Sequence, residues 1–265
     1  MADIAVIGTV AADIVLRVPV LPGPGDHVEA EPLGWRLGGS SANVACGLAA
    51  AGHRVELIGP IGTDAMAAAL VAELSQRGVG TAHCMRVPGS SPRALIMIDP
   101  VGERTIVVVG SPPAPVDVAL PEGLDCVYVE SFARFPVADR LPDALVVATP
   151  PTGGPWPADV VVGSEQQLSA DPFAAARAAA GPRLQWVVVT RGARGASAFG
   201  PGGEHHAAAR PARQVDATGA GDAFAAGLIA ALLAGRDIDG ALEWGADYGA
   251  AAVGALQSVP PEWIA

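Results

Sequence analysis

The sequence predicts an α/β protein built around a mostly parallel β-sheet. Short apolar runs alternate with longer segments in which apolar residues recur at helical spacing, as in parallel sheets joined by crossover helices. The runs are continuously apolar rather than alternating, as strands covered on both faces are. Of the 265 residues, 51% are hydrophobic and only 16% are charged, which is enough apolar material for a large core.

Six apolar runs are predicted as core strands: residues 4–7, 55–58, 126–129, 145–148, 160–162 and 186–190. Helices are predicted from about residue 44 to Gly52, over 65–76, over 225–234 up to Gly235, and over roughly 237–252. Ser40 or Ser41 is expected to cap the first of these helices.

Two segments break the pattern, because residues 14–35 and 93–109 have no helical period and read as hairpins. Together they predict a small second sheet standing off the core. Such a sheet with an apolar face serves as a lid or as a dimer surface.

Charge and cysteine content exclude several classes of protein. The net charge of −11 argues against a general nucleic-acid or anionic-membrane binder, and all 16 basic residues are arginines. Three scattered cysteines suggest neither a disulfide framework nor a structural zinc site, which favours a reducing compartment. The start lacks a secretory pattern and no apolar run reaches the roughly 20 residues of a membrane span, so we expect a cytoplasmic protein.

The stretch 216–224, Asp-Ala-Thr-Gly-Ala-Gly-Asp-Ala-Phe, carries the functional hypothesis. The unpartnered N–H groups at a helix start, opened by Gly219 to Gly221, make an anion cradle. Asp222 would repel a phosphate held there passively, but it fits a base that deprotonates an attacking hydroxyl. The alternative is that Asp222 only stabilises the helix dipole, worth about 0.3–1 kcal/mol.

Other binding motifs fit less well. The glycine spacing at 219–224 places Phe224 where a dinucleotide fingerprint needs its third glycine, and no Walker-type loop is present. His205 and His206 stand as a pair on a polar hairpin and are expected to be solvated. Asn43, in the first turn of its helix, is free to bond either a ligand or the local backbone. Asp13 reads equally as a ligand or as a solvated turn acid.

Two separated motifs resemble the ribokinase-like, phosphofructokinase-B type (pfkB) family of carbohydrate kinases. They are Gly38-Gly39-Ser40-Ser41-Ala42-Asn43-Val44-Ala45 and the 216–224 stretch. Between and beyond them, four shorter stretches follow the family's order: Val6-Ile7-Gly8 with Asp13, Gly102-Glu103-Arg104-Thr105, Val188-Val189-Thr190-Arg191-Gly192, and 254–260.

The resemblance implies a three-layer α/β/α sandwich, a single domain over 1–265 with lid strands inserted from about 14–36 and 93–109. It implies transfer of the γ-phosphoryl group of ATP to a primary hydroxyl of a small sugar, with Mg²⁺ and in some members K⁺. It assigns Asp222 as the base and Gly219, Ala220 and Gly221 as the anion hole. Sugar ligands would be Asp13, Gly38, Gly39, Asn43 and Glu130; nucleotide contacts Ser164, Thr190, Gly192 and Gly195; and monovalent-cation ligands Asp216, Gly254 and Ser258.

One departure leaves alternatives open. Where family members carry Asn-x-x-Glu, this chain has Ser164-Glu165-Gln166-Gln167, which puts the magnesium network in question. A nucleoside kinase of the same family, or a sugar- or nucleotide-binding relative with little turnover, therefore stands beside the sugar kinase. We also expect a homodimer formed through the lid.

Overall fold

The computed structural model describes residues 1–110, 120–130, 143–150, 157–168 and 171–255. Within these ranges the main sheet has nine strands. From edge to edge they are β15 (Gly203–Ala207), β14 (Ala196–Gly200), β13 (Trp186–Thr190), β12 (Val160–Ser164), β11 (Leu145–Ala148), β10 (Cys126–Val129), β1 (Asp3–Ile7), β4 (Arg54–Ile58) and β6 (Val79–Gly80). In this order, each neighbouring pair from β13 through to β6 is parallel, whereas β14 pairs antiparallel with both β13 and β15. The predicted mostly parallel sheet is confirmed.

Five helices cover the sheet in the described ranges: α1 (Ser40–Ala50), α2 (Ala65–Gln76), α3 (Pro172–Ala180), α4 (Ala220–Leu233) and α5 (Ile238–Val253). Because successive strand residues point to opposite faces, β1 contributes side chains to two hydrophobic clusters. Ile4 and Val6 pack in one cluster with α1, α2, α4 and α5, whereas Ala5 and Ile7 pack in another with α3. Helices therefore lie on both faces of the sheet, in three layers.

The second sheet contains four strands in the order β3 (Glu31–Gly38), β2 (Ala11–Arg17), β8 (Arg93–Ile98) and β9 (Arg104–Val109). These strands occupy the two segments that broke the core pattern. Strand β2 begins three residues earlier than expected, so Asp13 lies inside a strand instead of in a turn. Two short strands, β5 (Pro60–Ile61) and β7 (Met85–Arg86), pair separately.

Helix α4 is buried nearly all round, as its uniform apolar sequence predicts. It packs closely on α5 because glycines remove side-chain bulk at the contact. A Cβ on Gly227 would lie 2.8 Å from the Tyr248 ring, and one on Gly245 would lie 2.8 Å from the Phe224 ring. This packing fixes the axis of α4 and therefore the direction in which its N-terminus points.

The capping prediction for α1 is wrong. Gly39, with φ of 92°, is the N-cap residue and makes no side-chain cap, while Ser40 and Ser41 are the first helical residues. The left-handed φ explains the glycine. None of the helices in the described ranges is long and apolar enough to cross a membrane.

Candidate active site

The first turns of α1 and α4 meet where two predicted site residues, Asn43 and Asp222, bond each other. The Nδ2 atom of Asn43 donates a hydrogen bond to Oδ2 of Asp222 at 2.8 Å, although 179 residues separate them along the chain. Asn43 is only 4% exposed. Its side chain therefore bonds a neighbouring carboxylate, and this bond fixes which way Asp222 faces.

Burial raises the pKa of Asp222 from its ordinary value of 3.8 to about 7. The charges of Glu130 and Asp13 act in the same direction, whereas hydrogen bonds from Asn43 and Ser40 lower the pKa. A carboxylate with a pKa near neutral pH suits general-base catalysis, because a large fraction is ionised at pH 7 and the ionised form is basic enough to accept a proton.

The loop before α4 is shaped to receive an anion. Gly219 is the N-cap residue in the left-handed conformation, with φ of 79°, and makes no side-chain cap. A Cβ built on Gly221 would find nothing within 4 Å, so the space above this glycine is open. The loop therefore presents the positive end of the α4 dipole to a space that a phosphoryl group can enter.

Asp13 faces the same region from β2 and is 4% exposed. Its carboxylate presses on Gly38, where a Cβ would lie 2.0 Å from Oδ1, so only glycine fits at this position. Burial raises the pKa of Asp13 to about 6. The Arg36 guanidinium lowers it and the Asp216 carboxylate raises it.

Glu130 is buried at the carboxyl end of β10 and bonds to protein donors with both oxygens. Its Oε2 accepts from Thr9 N at 2.7 Å and from Ser41 Oγ at 2.8 Å, and its Oε1 accepts from Thr9 Oγ1 at 3.0 Å. These contacts tie the turn after β1 to the start of α1. Glu130 thus fixes the turn after β1 against α1, and its charge also raises the pKa of Asp222.

The expected nucleotide contacts lie together at the carboxyl ends of β12 and β13. Ser164 pairs with Thr190 across the strands. A 3₁₀ turn over Gly192–Arg194 follows β13, and Gly192 and Gly195 have φ of 56° and 84°. A Cβ on Gly195 would lie 2.1 Å from a backbone oxygen of β15, whereas one on Gly192 would meet nothing. The turn is thus closed on one side and open on the other.

The side chains of Ser164, Glu165 and Gln167 are all engaged by protein partners. Both Ser164 N and Ser164 Oγ donate to Oε1 of Gln167, at 2.9 and 3.1 Å. Glu165 forms ion pairs with Arg191 and Arg194. Across the described residues, no group of three or more His, Cys, Asp or Glu side chains could hold a metal ion.

Two of the three expected monovalent-cation ligands, Asp216 and Gly254, lie among the described residues. Asp216 is 1% exposed and its Oδ1 accepts from Thr218 N at 2.8 Å. Gly254 is the C-cap residue of α5, whose Val253 carbonyl accepts from Val215 N. Ser258 lies outside the described residues.

Two polar residues near the site were not anticipated from the sequence. Arg36 Nη1 lies 2.6 Å from Oδ2 of Asp216, and Gln214 Nε2 donates to the carbonyl of Gly102, in the turn between β8 and β9, at 3.0 Å. Arg36 pairs directly with Asp13 across the hairpin, but the sequence alone does not fix this register. The contact of Gln214 joins positions 112 residues apart and leaves no local pattern.

A family model described as "pfkB family carbohydrate kinase" matches residues 1–149 and 158–264. The chain belongs to the pfkB family of carbohydrate kinases. It is therefore a phosphotransferase with an alcohol group as acceptor.

Individual pfkB relatives match over nearly the whole chain. A ribokinase of Haemophilus influenzae is 25% identical over 97% of this chain and 95% of that protein. An ATP-dependent ribose-1-phosphate kinase of Halopiger xanaduensis is 28% identical over 93% and 90% of the respective chains.

Solved structures agree with the fold. The ribokinase of Thermotoga maritima superposes with a TM-score of 0.82 at 23% identity, covering 98% of this chain and 96% of its own. A Cryptococcus neoformans ribokinase in complex with ADP gives a TM-score of 0.73 at 25% identity, covering 98% and 97%. The resemblance inferred from the two motifs is confirmed at the level of family and fold.

Proposed function

We propose that this pfkB kinase transfers the γ-phosphoryl group of ATP to a primary hydroxyl of a small uncharged sugar or polyol, with Asp222 as the general base. One observation carries the proposal: Asp222 stands at the mouth of the α4 anion loop, held by Asn43, with a pKa raised to about 7. An acid that only stabilised a helix dipole would not need a buried amide to orient it.

The reaction follows from the arrangement. The acceptor hydroxyl gives its proton to the Asp222 carboxylate as its oxygen attacks the γ-phosphorus. The new O–P bond forms while the bond to the β-phosphate oxygen breaks, and ADP leaves with that electron pair. Backbone N–H groups of Gly219, Ala220 and Gly221 would face the charge spread over the transferred oxygens. Phosphoryl transfer asks for little more than this positioning and charge stabilisation.

The charges around the site favour an uncharged acceptor. The described residues around Asp222 include three further carboxylates, those of Asp13, Glu130 and Asp216, whereas the one guanidinium found there, that of Arg36, pairs with Asp13 and Asp216. A phosphorylated acceptor would add negative charge to an already acidic region. A sugar or polyol instead gains hydrogen bonds from its hydroxyls to the Asp13 carboxylate, of the strong kind made with charged acceptors, and can also bond the neutral amide of Asn43.

In this proposal Mg²⁺ is bound mainly by the phosphates of the nucleotide. Mg²⁺ in kinases is commonly held by one or two carboxylates together with substrate phosphates, and it neutralises charge on those phosphates when bound. Because Glu165 is engaged by two arginines, we infer that the phosphates provide most of the magnesium ligands. The chain's own contribution is then the anion loop and the ordered turn after β13.

A substrate screen tests the proposal. Purified protein is incubated with ATP, with and without Mg²⁺, across neutral pentoses, hexoses, polyols, nucleosides and ribose 1-phosphate, and acceptor-dependent ADP formation is measured. We expect turnover with a neutral sugar or polyol and at least tenfold lower kcat/KM with ribose 1-phosphate. Preference for a nucleoside would favour the nucleoside kinase. Binding by calorimetry without any turnover would favour a binding protein.

We further propose that the lid sheet pairs with a second copy of the chain. Its outer face carries a cross-strand row in which Trp35 pairs with Ile14 and Leu95 pairs with Val107, and Trp35, Ile14 and Val107 are 43%, 37% and 46% exposed. Apolar rows of this kind mark interaction sites.

Sedimentation should give a dimer that Val107→Lys dissociates. The control Val101→Lys, in the lid turn, should leave the dimer intact. A wild-type monomer at micromolar concentration would contradict this assembly.

A further inference from the structure

The Asp216 carboxylate does not fit a monovalent-cation ligand in this chain. Its Oδ1 accepts a hydrogen bond from Thr218 N at 2.8 Å, and its Oδ2 lies 2.6 Å from Nη1 of Arg36. The side chain is 1% exposed. A potassium ion at this carboxylate would have to displace the guanidinium or lie beside a second positive charge in a buried place.

Arg36 is placed to act on both halves of the site. It projects from β3, two residues before Gly38, and its side chain is 12% exposed. Its Nε lies 3.9 Å from Oδ2 of Asp13, the strand partner directly opposite. One guanidinium therefore faces the acceptor carboxylate on one side and the carboxylate before the anion loop on the other. Because arginine stays protonated at any working pH, this charge is permanent.

The contact matters because Asp216 organises the anion loop. Its Oδ1 bonds the Thr218 N–H immediately before Gly219, and its own N–H bonds the Val253 carbonyl at the end of α5 at 3.3 Å. Residue 216 is thus fixed by its backbone to α5 and by its side chain to Thr218 and Arg36. Any movement of this carboxylate would be passed to the loop that receives the phosphoryl group.

Resting on the proposed kinase function, we propose that Arg36 is a built-in cation. It supplies from within the chain the positive charge that a bound monovalent ion supplies at this place in some relatives, and it holds the turn from Asp216 to Thr218. Arg36 is a positioning residue, since it acts through Asp216 and Asp13. The enzyme is therefore indifferent to potassium, and removing the guanidinium makes it responsive to potassium.

The test compares the wild type with Arg36→Met in buffers of equal ionic strength containing tetramethylammonium, sodium or potassium. For the wild type we expect kcat/KM to agree within twofold and Tm to agree within 1 °C in all three salts. For Arg36→Met we expect at least a hundredfold lower kcat/KM in tetramethylammonium, at least tenfold recovery in 100 mM potassium, and a Tm that rises with potassium.

Two variants act as controls. Arg17→Met removes an exposed arginine of the same sheet, paired with Glu31, and should leave the kinetics and the salt response unchanged. Arg36→Lys keeps a positive charge and should remain insensitive to potassium. If Arg36→Met does not fold, the potassium responses of the wild type and of Arg36→Lys test the proposal instead, and activation of either protein by potassium would contradict it.

Three results would overturn the proposal: a tenfold potassium activation of the wild type, an unchanged kcat/KM in Arg36→Met, or a folded Arg36→Met whose Tm and rate both ignore potassium. The Tm readings need no acceptor. A failure of the proposed sugar kinase activity would therefore be distinguished from a failure of the built-in cation.

Discussion

Replacing Asp222 with asparagine should stabilise the protein while removing its activity. The pKa of Asp222 is raised from 3.8 to about 7 by burial. At about 1.4 kcal/mol per pKa unit, keeping this group ionised at pH 8 costs the folded state up to about 4 kcal/mol. Asparagine has the same shape, carries no charge and keeps an oxygen that accepts the Asn43 hydrogen bond. Because Asp222 is partly exposed, we expect a gain of about 2 kcal/mol, or 4–8 °C in Tm.

The pH dependence of this gain follows from the direction of the pKa change. The folded state holds the Asp222 proton more tightly than the unfolded chain, so the group's cost grows as pH rises from about 4 to about 7 and is constant above that. Thermal unfolding of both proteins at pH 4.5 and 8 should therefore show a Tm difference that is small at the acidic pH and full at the alkaline one. In parallel, kcat at pH 8 should fall by on the order of 10²–10⁴.

A matched control separates a catalytic acid from one that only stabilises a helix dipole. Asp239 lies in the first turn of α5, is 61% exposed and also contacts Nδ1 of His205 at 2.8 Å, a surface contact that contributes little. Asp239→Asn should lower stability by about 0.3–1 kcal/mol and leave kcat unchanged. If Asp222→Asn behaved in the same way, losing stability at pH 8 and retaining activity, the base assignment and the reasoning from burial would both be wrong.

Three further substitutions examine the rest of the site. Gly38→Ala places a methyl 2.0 Å from Asp13 Oδ1, so the acceptor KM should rise on the order of tenfold or more while the ATP KM holds. Gly221→Ala meets no protein atom, so Tm should be kept or slightly raised by helix propensity, while the methyl enters the anion space and kcat/KM for ATP falls on the order of 10². Glu130→Gln places an amide NH₂ group opposite a donor of Thr9 or Ser41, so one hydrogen bond is lost and stability should fall by about 1–3 kcal/mol. It also lowers the Asp222 pKa, moving the acidic limb of the rate profile to lower pH.

Gly202→Ala is a suitable control for the glycine substitutions. Gly202 lies in the hairpin between β14 and β15, away from the site, and a Cβ added there would meet no atom within 4 Å. An unchanged acceptor KM in Gly38→Ala would show that Asp13 does not bind the acceptor. Normal ATP kinetics in Gly221→Ala would remove the anion role of the loop. An acidic limb unmoved in Glu130→Gln would separate Glu130 from the base.

Local patterns in the sequence predicted most of the elements of the fold. Helix α2 has the predicted bounds of 65–76, and five of the six core strands, all except β12, match or lie within one residue of expectation. Continuous apolar runs and terminal glycines are signals that neighbouring residues alone create. Helix α3 was not anticipated, because its alanine-rich face gives little periodic contrast, although Asp171 caps it and proline opens it.

The site itself was only partly predictable. The motifs indicated Asp222 and Asn43, but not that they bond each other, since that contact depends on how α1 and α4 pack. Ser41 was expected to cap a helix and instead bonds Glu130. Arg36 was missed because a single arginine in an exposed-looking hairpin has no distinguishing spacing. Contacts between distant elements leave no period in the sequence, and these contacts set the pKa values and charge balance of the site.

The most direct test of Asp222 as the base is the pH profile of kcat/KM for the preferred acceptor. This ratio reports the ionisation of the free enzyme. We expect log kcat/KM to rise with a slope of at least one up to about pH 7 and to reach a plateau above it. We expect the part of the rise that ends near pH 7 to be absent from the residual activity of Asp222→Asn, in which only the ionisation of Asp13 near pH 6 remains. A wild-type profile that is flat between pH 5.5 and 9, or a variant with the same rise, would contradict the account.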